Sequence, residues 1–157
     1  MTLAADARVR DIDFAQGEAA QVAGIWRRGW AAGHPDVVTV EPIAHWLARV
    51  QTEFKAPNEA VVIERRDQVL AFMVMHCARG YVAQLFVEPH LRAQGFGREL
   101  LAEASVRMPN GWRLHVATAN LQAQRFYDHL GLARGSIDRH PTTGRERVAY
   151  HWHPASS

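Results

Sequence analysis

The stretch Tyr81-Val-Ala-Gln-Leu-Phe-Val87-Glu-Pro-His-Leu-Arg92-Ala-Gln-Gly95-Phe-Gly97-Arg-Glu-Leu-Leu101 decides how the rest of the chain is read. Its apolar run from Tyr81 to Val87 predicts a buried strand. Pro89 stops that strand, because proline has no amide to give a neighbour. The turn from Arg92 to Gly97 is compact and carries two glycines. It leads directly into a helical pattern with Phe96, Leu100, Leu101, Ala104 and Met108 on one face. A strand, a glycine-containing loop and a helix start gather free backbone amides around one point. The helix dipole adds partial positive charge there, so the point suits an anion such as a phosphate. Gly95 and Gly97 are expected to let the backbone close on that anion.

Two familiar phosphate loops do not fit. The Walker loop needs G-x-x-x-x-G-K-[ST], and no such lysine or hydroxyl is present. The dinucleotide fingerprint needs G-x-G-x-x-G, and Leu100 stands where its third glycine belongs. What does fit is R-x-x-G-x-G (Arg92, Gly95, Gly97) after the strand end Leu85-Phe86-Val87-Glu88-Pro89. This resembles the acetyl-CoA loop of the GNAT superfamily, the Gcn5-related N-acetyltransferases.

A second stretch carries the same resemblance. Asn120-x-x-Ala123-x-x-Phe126-Tyr127-x-x-x-Gly131-Leu132 is similar to the N-x-x-A-x-x-F-Y-x-x-x-G-F signature of that superfamily, with Leu132 in place of the usual Phe. Outside these stretches the residues predict a short strand at Arg8 to Ile12 and a helix from Gly17 to Trp30, broken by Gly33-His34-Pro35. A helix from Pro42 to Phe54 follows, with Ile43, Trp46, Leu47, Val50 and Phe54 as its stripe. Next come a hairpin, Ala60 to Glu64 and Val69 to His76, and after the central unit a strand from Trp112 to Val116. A helix from Asn120 to Leu130 and a final strand pair, Arg134 to Arg139 and Val148 to Trp152, complete the pattern. The order β-α-α-β-β-β-α-β-α-β-β describes an α/β fold with one mixed sheet. It matches the superfamily, whose fourth and fifth strands splay apart. The expectation is a single GNAT-like domain over residues 1–157.

Bulk properties narrow the function. The chain has 157 residues, 48% hydrophobic and 22% charged, enough for one domain that buries about two-thirds of its unfolded surface. No apolar run of about 18 residues and no basic-then-apolar leader occurs, so the reading is a cytoplasmic protein with no membrane partner. One cysteine, Cys77, excludes an intrachain disulfide and argues against a cysteine-based metal site. Formal charge is +2, and the arginines are scattered, which gives no nucleic-acid stripe. The chain leaves room for a homodimer.

The resemblance implies acetyl-CoA as co-substrate, no metal, and transfer to a primary amine of a small molecule or a protein N-terminus by direct attack. Pantetheine would pair with Leu85, Phe86 and Val87 and meet Asn120 and Ala123. Pyrophosphate would sit on the amides of Gln94, Gly95, Phe96, Gly97 and Arg98, helped by Arg92. Tyr127 is the family-matched proton donor to the CoA sulfur. His115 falls where relatives acting on protein N-terminal amines have a Glu, and its imidazole suits a base at neutral pH. Trp30, His34 and Glu88 are the acceptor-side candidates, whereas Trp26 and Trp46 lie on packing stripes. The same fold could instead serve as a non-catalytic acyl-CoA-binding sensor. Tyr127 and the intact glycine loop favour the enzyme.

Overall fold

The computed structural model describes residues 6–155. Along them run β1 (Ala7–Asp11), α1 (Glu18–Gly33), α2 (Ile43–Glu53), β2 (Glu59–Arg65), β3 (Gln68–His76), β4 (Tyr81–Val87), α3 (Phe96–Arg107), β5 (Trp112–Ala117), α4 (Leu121–His129), β6 (Ala133–Arg139) and β7 (Glu146–Trp152). This is the order the sequence predicts, an α/β fold on one mixed sheet. α1 runs on to Gly33, past the expected end at Trp30. Pro42 caps α2 from outside, where the sequence reading had it as the first helical residue.

The seven strands lie in the order β1-β2-β3-β4-β5-β7-β6. All neighbours are antiparallel except β4 and β5. That parallel pair is joined at one register position, Tyr81 opposite Arg113, with the Arg113 amide donating to the Gly80 carbonyl at 2.9 Å. Beyond it the strands part. β5 continues to follow β7 from Trp112–Trp152 to Ala117–Arg147, while β4 follows β3. A bulge marks the same place: Val74 faces Gln84 and Met75 faces Val82, so Ala83 is an extra residue in β4.

Each face of the sheet has its own core. On one, α1 and α2 bury Val22, Ile25, Trp26, Trp46, Val50 and Phe54 against Val62, Phe72 and Val74. Trp26 stands at the centre, with ring centroids 5.4 Å from Trp46, 5.8 Å from Phe54 and 5.9 Å from Phe72. On the other face the whole predicted stripe of α3 is buried, against Ile63, Met73, Leu114, Val116 and Tyr127. Each large buried apolar side chain contributes about 1.5–3 kcal/mol. Ile43, expected on the α2 stripe, is 50% exposed, as part of an exposed first turn of that helix.

Both ends of α1 are fixed, and that sets the position of its last turn. At the start, the buried Glu18 carboxylate is bound by the Arg10 guanidinium and accepts from the Asp13 amide at 2.8 Å. At the far end Gly29 lies directly on β4: a Cβ there would stand 2.6 Å from Phe86 Cδ1. A Cβ at Gly33 would equally stand 2.6 Å from Asn120 Nδ2. Glycines that interrupt a helical pattern in sequence are here the residues that let the helix approach the sheet.

Two outcomes follow from this anchoring. The Arg10 hydrogen bond holds the Glu18 carboxyl below its ordinary value of about 4.5, so the ionised form stabilises the fold. That contribution is fully present above pH 4.5 and is lost as pH falls through the depressed native value. Denaturant titrations should therefore show wild type more stable than Glu18→Gln at pH 7, with the gap narrowing as pH is lowered below 4.5. At the other end, Gly29→Ala should destabilise by about 1–3 kcal/mol from overpacking, outweighing a helix-propensity gain of up to about 1 kcal/mol. Phe86 has little room to yield, since its ring lies 5.7 Å from Phe72 and 6.5 Å from Trp26. The penalty should shrink in a Phe86→Leu background, and an unshifted denaturation midpoint would contradict the close contact.

Candidate active site

At the open end of the splay lies a cleft of about 690 Å³. Its walls are the end of β4, the loop into α3, and one side of α4. The loop turns through two left-handed residues, Ala93 (φ 66°) and Gly95 (φ 88°). Gly95 is the N-cap of α3 and brings no capping side chain. The first main-chain bond back to the loop is from Glu99 to the Gly95 carbonyl, at 3.0 Å. The amides of Phe96, Gly97 and Arg98 thus have no main-chain acceptor among the described residues, and all three residues line the cleft. Free amides at a helix start suit an anion. Gly97 has a second role besides its place in the loop. A Cβ on it would stand 3.0 Å from Phe126 Cζ, so its small size serves the packing of α3 on α4.

The cleft gathers Leu85, Phe86, Val87, Arg92, Gly95, Phe96, Gly97, Arg98, Asn120, Ala123 and Tyr127. Gln94 is exposed and does not line it. Four basic side chains, Arg92, Arg98, Arg125 and His129, border the cleft, and no acidic one does among the described residues. Arg92 reaches across to donate to Gln122 Oε1 at 2.8 Å. Asn120 caps α4, its Oδ1 accepting from the Ala123 amide at 3.1 Å. Tyr127 is 6% exposed and packs beside Phe126 and Tyr150. Burial, and secondarily the neighbouring Tyr150, push its phenol well above the ordinary value, so it is protonated at neutral pH. Its hydroxyl has no hydrogen-bond partner among the described residues, yet the residue borders the cleft. A neutral donor with nothing to donate to is available for a ligand.

The remaining candidates stand elsewhere. Leu114 and Val116 point into the core under α3 and α4, so strand alternation turns His115 to the opposite face. There α1 and α2 cover only β2, β3 and β4, leaving the β5–β7 part of that face uncovered. His115 Nδ1 lies 2.7 Å from Tyr81 Oη. Burial first, then the Arg147 and Arg113 charges, hold its imidazole below 6.5. Trp30 and His34 stack at 4.0 Å, and His34 Nδ1–H donates to the Trp30 carbonyl at 2.7 Å. Arg145, from the turn between β6 and β7, lies 5.9 Å from the Trp30 ring and 3.4 Å from Asp36. These residues form a rim on the His115 side of the sheet. Glu88 accepts two bonds from Arg28, at 2.8 and 2.6 Å, so it is a brace between α1 and the β4 end. Neither His115 nor Trp30, His34 or Glu88 lines the cleft.

Sequence reasoning missed Gly29, Leu91, Ala93, Gln122, Arg125, Phe126 and His129 as cleft residues. For α4 the signal was present, since Gln122, Arg125, Phe126 and His129 follow helical spacing along one side. For Gly29 no local signal exists, because its role depends on Phe86 far along the chain. Among the described residues no group of three His, Cys, Asp or Glu side chains is placed to hold a metal ion, and no helix is long and apolar enough to cross a membrane.

Residues 56–131 match the family model of the acetyltransferase (GNAT) domain. No curated protein matches the chain in sequence. Solved structures do match in fold. The apo-form of YjaB from Escherichia coli is 24% identical with a TM-score of 0.75, over 95% of this chain and 99% of that one. The ribosomal-protein-S18-alanine N-acetyltransferase of Escherichia coli is 16% identical with a TM-score of 0.69, over 96% of each chain. YncA of Salmonella typhimurium, described as a putative acetyltransferase with its cofactor acetyl-CoA, is 14% identical with a TM-score of 0.66, over 97% of this chain and 96% of that one. Both motifs lie along this matched stretch, together with the splayed strands and the cationic cleft, and over it the chain is similar to the acetyltransferase (GNAT) domain.

Proposed function

We propose that the chain is one acetyl-CoA-dependent N-acetyltransferase domain that acetylates a primary amine of a small molecule or a protein N-terminus. The observation that carries this reading is the meeting, in one cleft, of the free α3 amides and the unpartnered, protonated Tyr127 hydroxyl. When bound, acetyl-CoA supplies an activated acetyl thioester. The residues present fit it: β4 has no partner strand on its β5 side from Leu85 to Val87, which leaves main-chain groups for pantetheine. The α3 amides, Arg92 and Arg98 suit the pyrophosphate. Tyr127 donates its phenol proton to the departing sulfur. His115, neutral at pH 7, takes up the proton that the acceptor amine loses.

The acceptor side is the face bordered by Trp30, His34 and the β6–β7 turn. Three of its carboxylates are engaged: Glu88 with Arg28, Asp36 with Arg145, Asp138 with Arg147. That supports a monoamine or a peptide N-terminus over a polyamine, which would need free acidic partners. The likeness in fold to a ribosomal-protein-S18-alanine N-acetyltransferase supports an acceptor on a protein.

A free-thiol release assay over a panel of amines, with calorimetry for acetyl-CoA, tests the function. Tight binding without turnover on any amine would favour a sensor instead. Gly95→Val forces a β-branched residue to φ near 88°. It should weaken acetyl-CoA at least tenfold, about 1.4 kcal/mol, in a protein that still folds. Undiminished affinity would take the loop out of the site.

Tyr127→Phe keeps the ring packing and removes the proton. It should lower turnover on the order of 10²-fold with acetyl-CoA binding nearly intact. His115→Ala should lower the rate at pH 7 and abolish the acidic limb of the pH–rate profile. Because the imidazole is held below 6.5, that limb lies below pH 6.5, with activity falling as pH drops through it. Full activity in either variant would defeat that residue's role.

A further inference from the structure

Main-chain pairing between β4 and β5 stops at Tyr81–Arg113, and the next link across the opening is made by side chains. Tyr81 Oη lies 2.7 Å from His115 Nδ1, and among the described residues His115 is the hydroxyl's one hydrogen-bond partner. The Tyr81 hydroxyl hydrogen has no other acceptor among the described residues, so Tyr81 is assigned as the donor and Nδ1 as the acceptor. The ring hydrogen of neutral His115 is then on Nε2. It follows that the lone pair able to take a proton, on Nδ1, is covered by the phenol. A base at this position is reached only through Tyr81.

We propose that Tyr81 and His115 form a two-step proton relay at the closed end of the splay, with Tyr81 Oη, directly or through water, receiving the proton of the acceptor amine. The amine N–H bond breaks as an O–H bond forms at Tyr81. The original Tyr81 O–H bond breaks as an N–H bond forms at His115 Nδ1. Positive charge moves from the ammonium to the imidazolium, the phenol is regenerated, and the imidazolium releases its Nε2 proton to solvent; exchange with water then returns the Nδ1–H form to the resting Nε2–H tautomer as the phenol hydrogen turns back toward Nδ1. This rests on the N-acetyltransferase reading, with His115 as terminal base, and makes Tyr81 a catalytic residue that neither motif contains.

The surrounding charges suit the relay. The Arg113 guanidinium on β5 lies 5.1 Å from the Tyr81 ring. Arg147 and His151 on β7 act on the imidazole as positive neighbours, and Asp138 on β6 as the negative one. Asp138 is itself bound by Arg147 at 2.8 and 3.2 Å, which mutes its pull. The imidazole is thus kept neutral and ready. Burial, the largest influence on Tyr81, holds its phenol above the ordinary value, so it passes a proton on without resting as phenolate.

Tyr81→Phe, His115→Gln and the double variant, in the full chain, test the relay. Each single change should cost about 10²-fold in turnover, and the double variant no more than either, because two links of one chain are lost together. Tyr81→Phe should also erase the acidic limb although His115 is still present. A retained limb in Tyr81→Phe, or multiplicative losses in the double variant, would show a mere cross-strand brace and overturn the relay. Loss of the limb in His115→Gln but not in Tyr81→Phe would leave the acetyltransferase reading standing and the relay fallen. A second readout needs no activity. Nitrogen NMR of the free protein should show His115 as the Nε2–H tautomer, and the Nδ1–H tautomer would refute the proposal. Thermal melts of all variants separate these effects from unfolding.

Discussion

Two parallel neighbours that pair only once set the conditions for everything else in this molecule. β4 and β5 share the Tyr81–Arg113 position and then part, each held on its far edge by an antiparallel partner. A buried main chain seeks hydrogen-bond partners. An internal gap in a sheet is therefore tolerated where something else fills it. The β4 bulge at Ala83 lies just beyond the last shared pair and turns the strand away from β5. The loop into α3 and the start of α4 both border that gap. Helix starts present amides, so the fold places a positive end on the opening without any dedicated lysine.

The gap stays open because the elements around it are fixed from outside. α1 is tied at Glu18 and laid flat on Phe86 and Asn120 through Gly29 and Gly33. The Arg28–Glu88 pair joins the same helix to the residue just after β4. On the other side, Gly97 lets α3 sit against Phe126, which fixes the spacing of the cleft walls. These contacts explain why a helix interrupted by glycines remains one helix to Gly33. Packing, not propensity, decides its length.

Much of this was legible locally. The strand–loop–helix from Tyr81 to Leu101 and the stripe Phe96, Leu100, Leu101, Ala104, Met108 depend on neighbours in sequence, and periodicity shows them. The Asn120 cap and the Tyr127 position are local in the same way. What could not be read were contacts between distant residues of ordinary type. Glu88 looks like a solvent-facing acid until Arg28 is placed beside it, sixty residues away. Gly97 reads as a loop glycine, and nothing near it in sequence announces Phe126 packed against it. Gln94 has the loop position of a ligand residue but faces outward. His115 was legible as a polar residue on one side of a strand, yet its phenol partner belongs to another strand.

The two groups assigned to proton transfer stand on opposite faces of one sheet, and their surroundings push them in opposite directions. Tyr127 packs among Phe126, Tyr150 and the α3 core at the edge of the cleft, where burial keeps a phenol protonated. His115 lies on the uncovered face beside arginines, where burial and positive charge keep an imidazole unprotonated. Donor and acceptor are thus both in the state their roles require at neutral pH, without either being charged. The sheet keeps the two apart. The splay is where the paired backbone between the two faces gives way, so a thioester held against β4 would sit between a phenol on one side and a neutral base on the other.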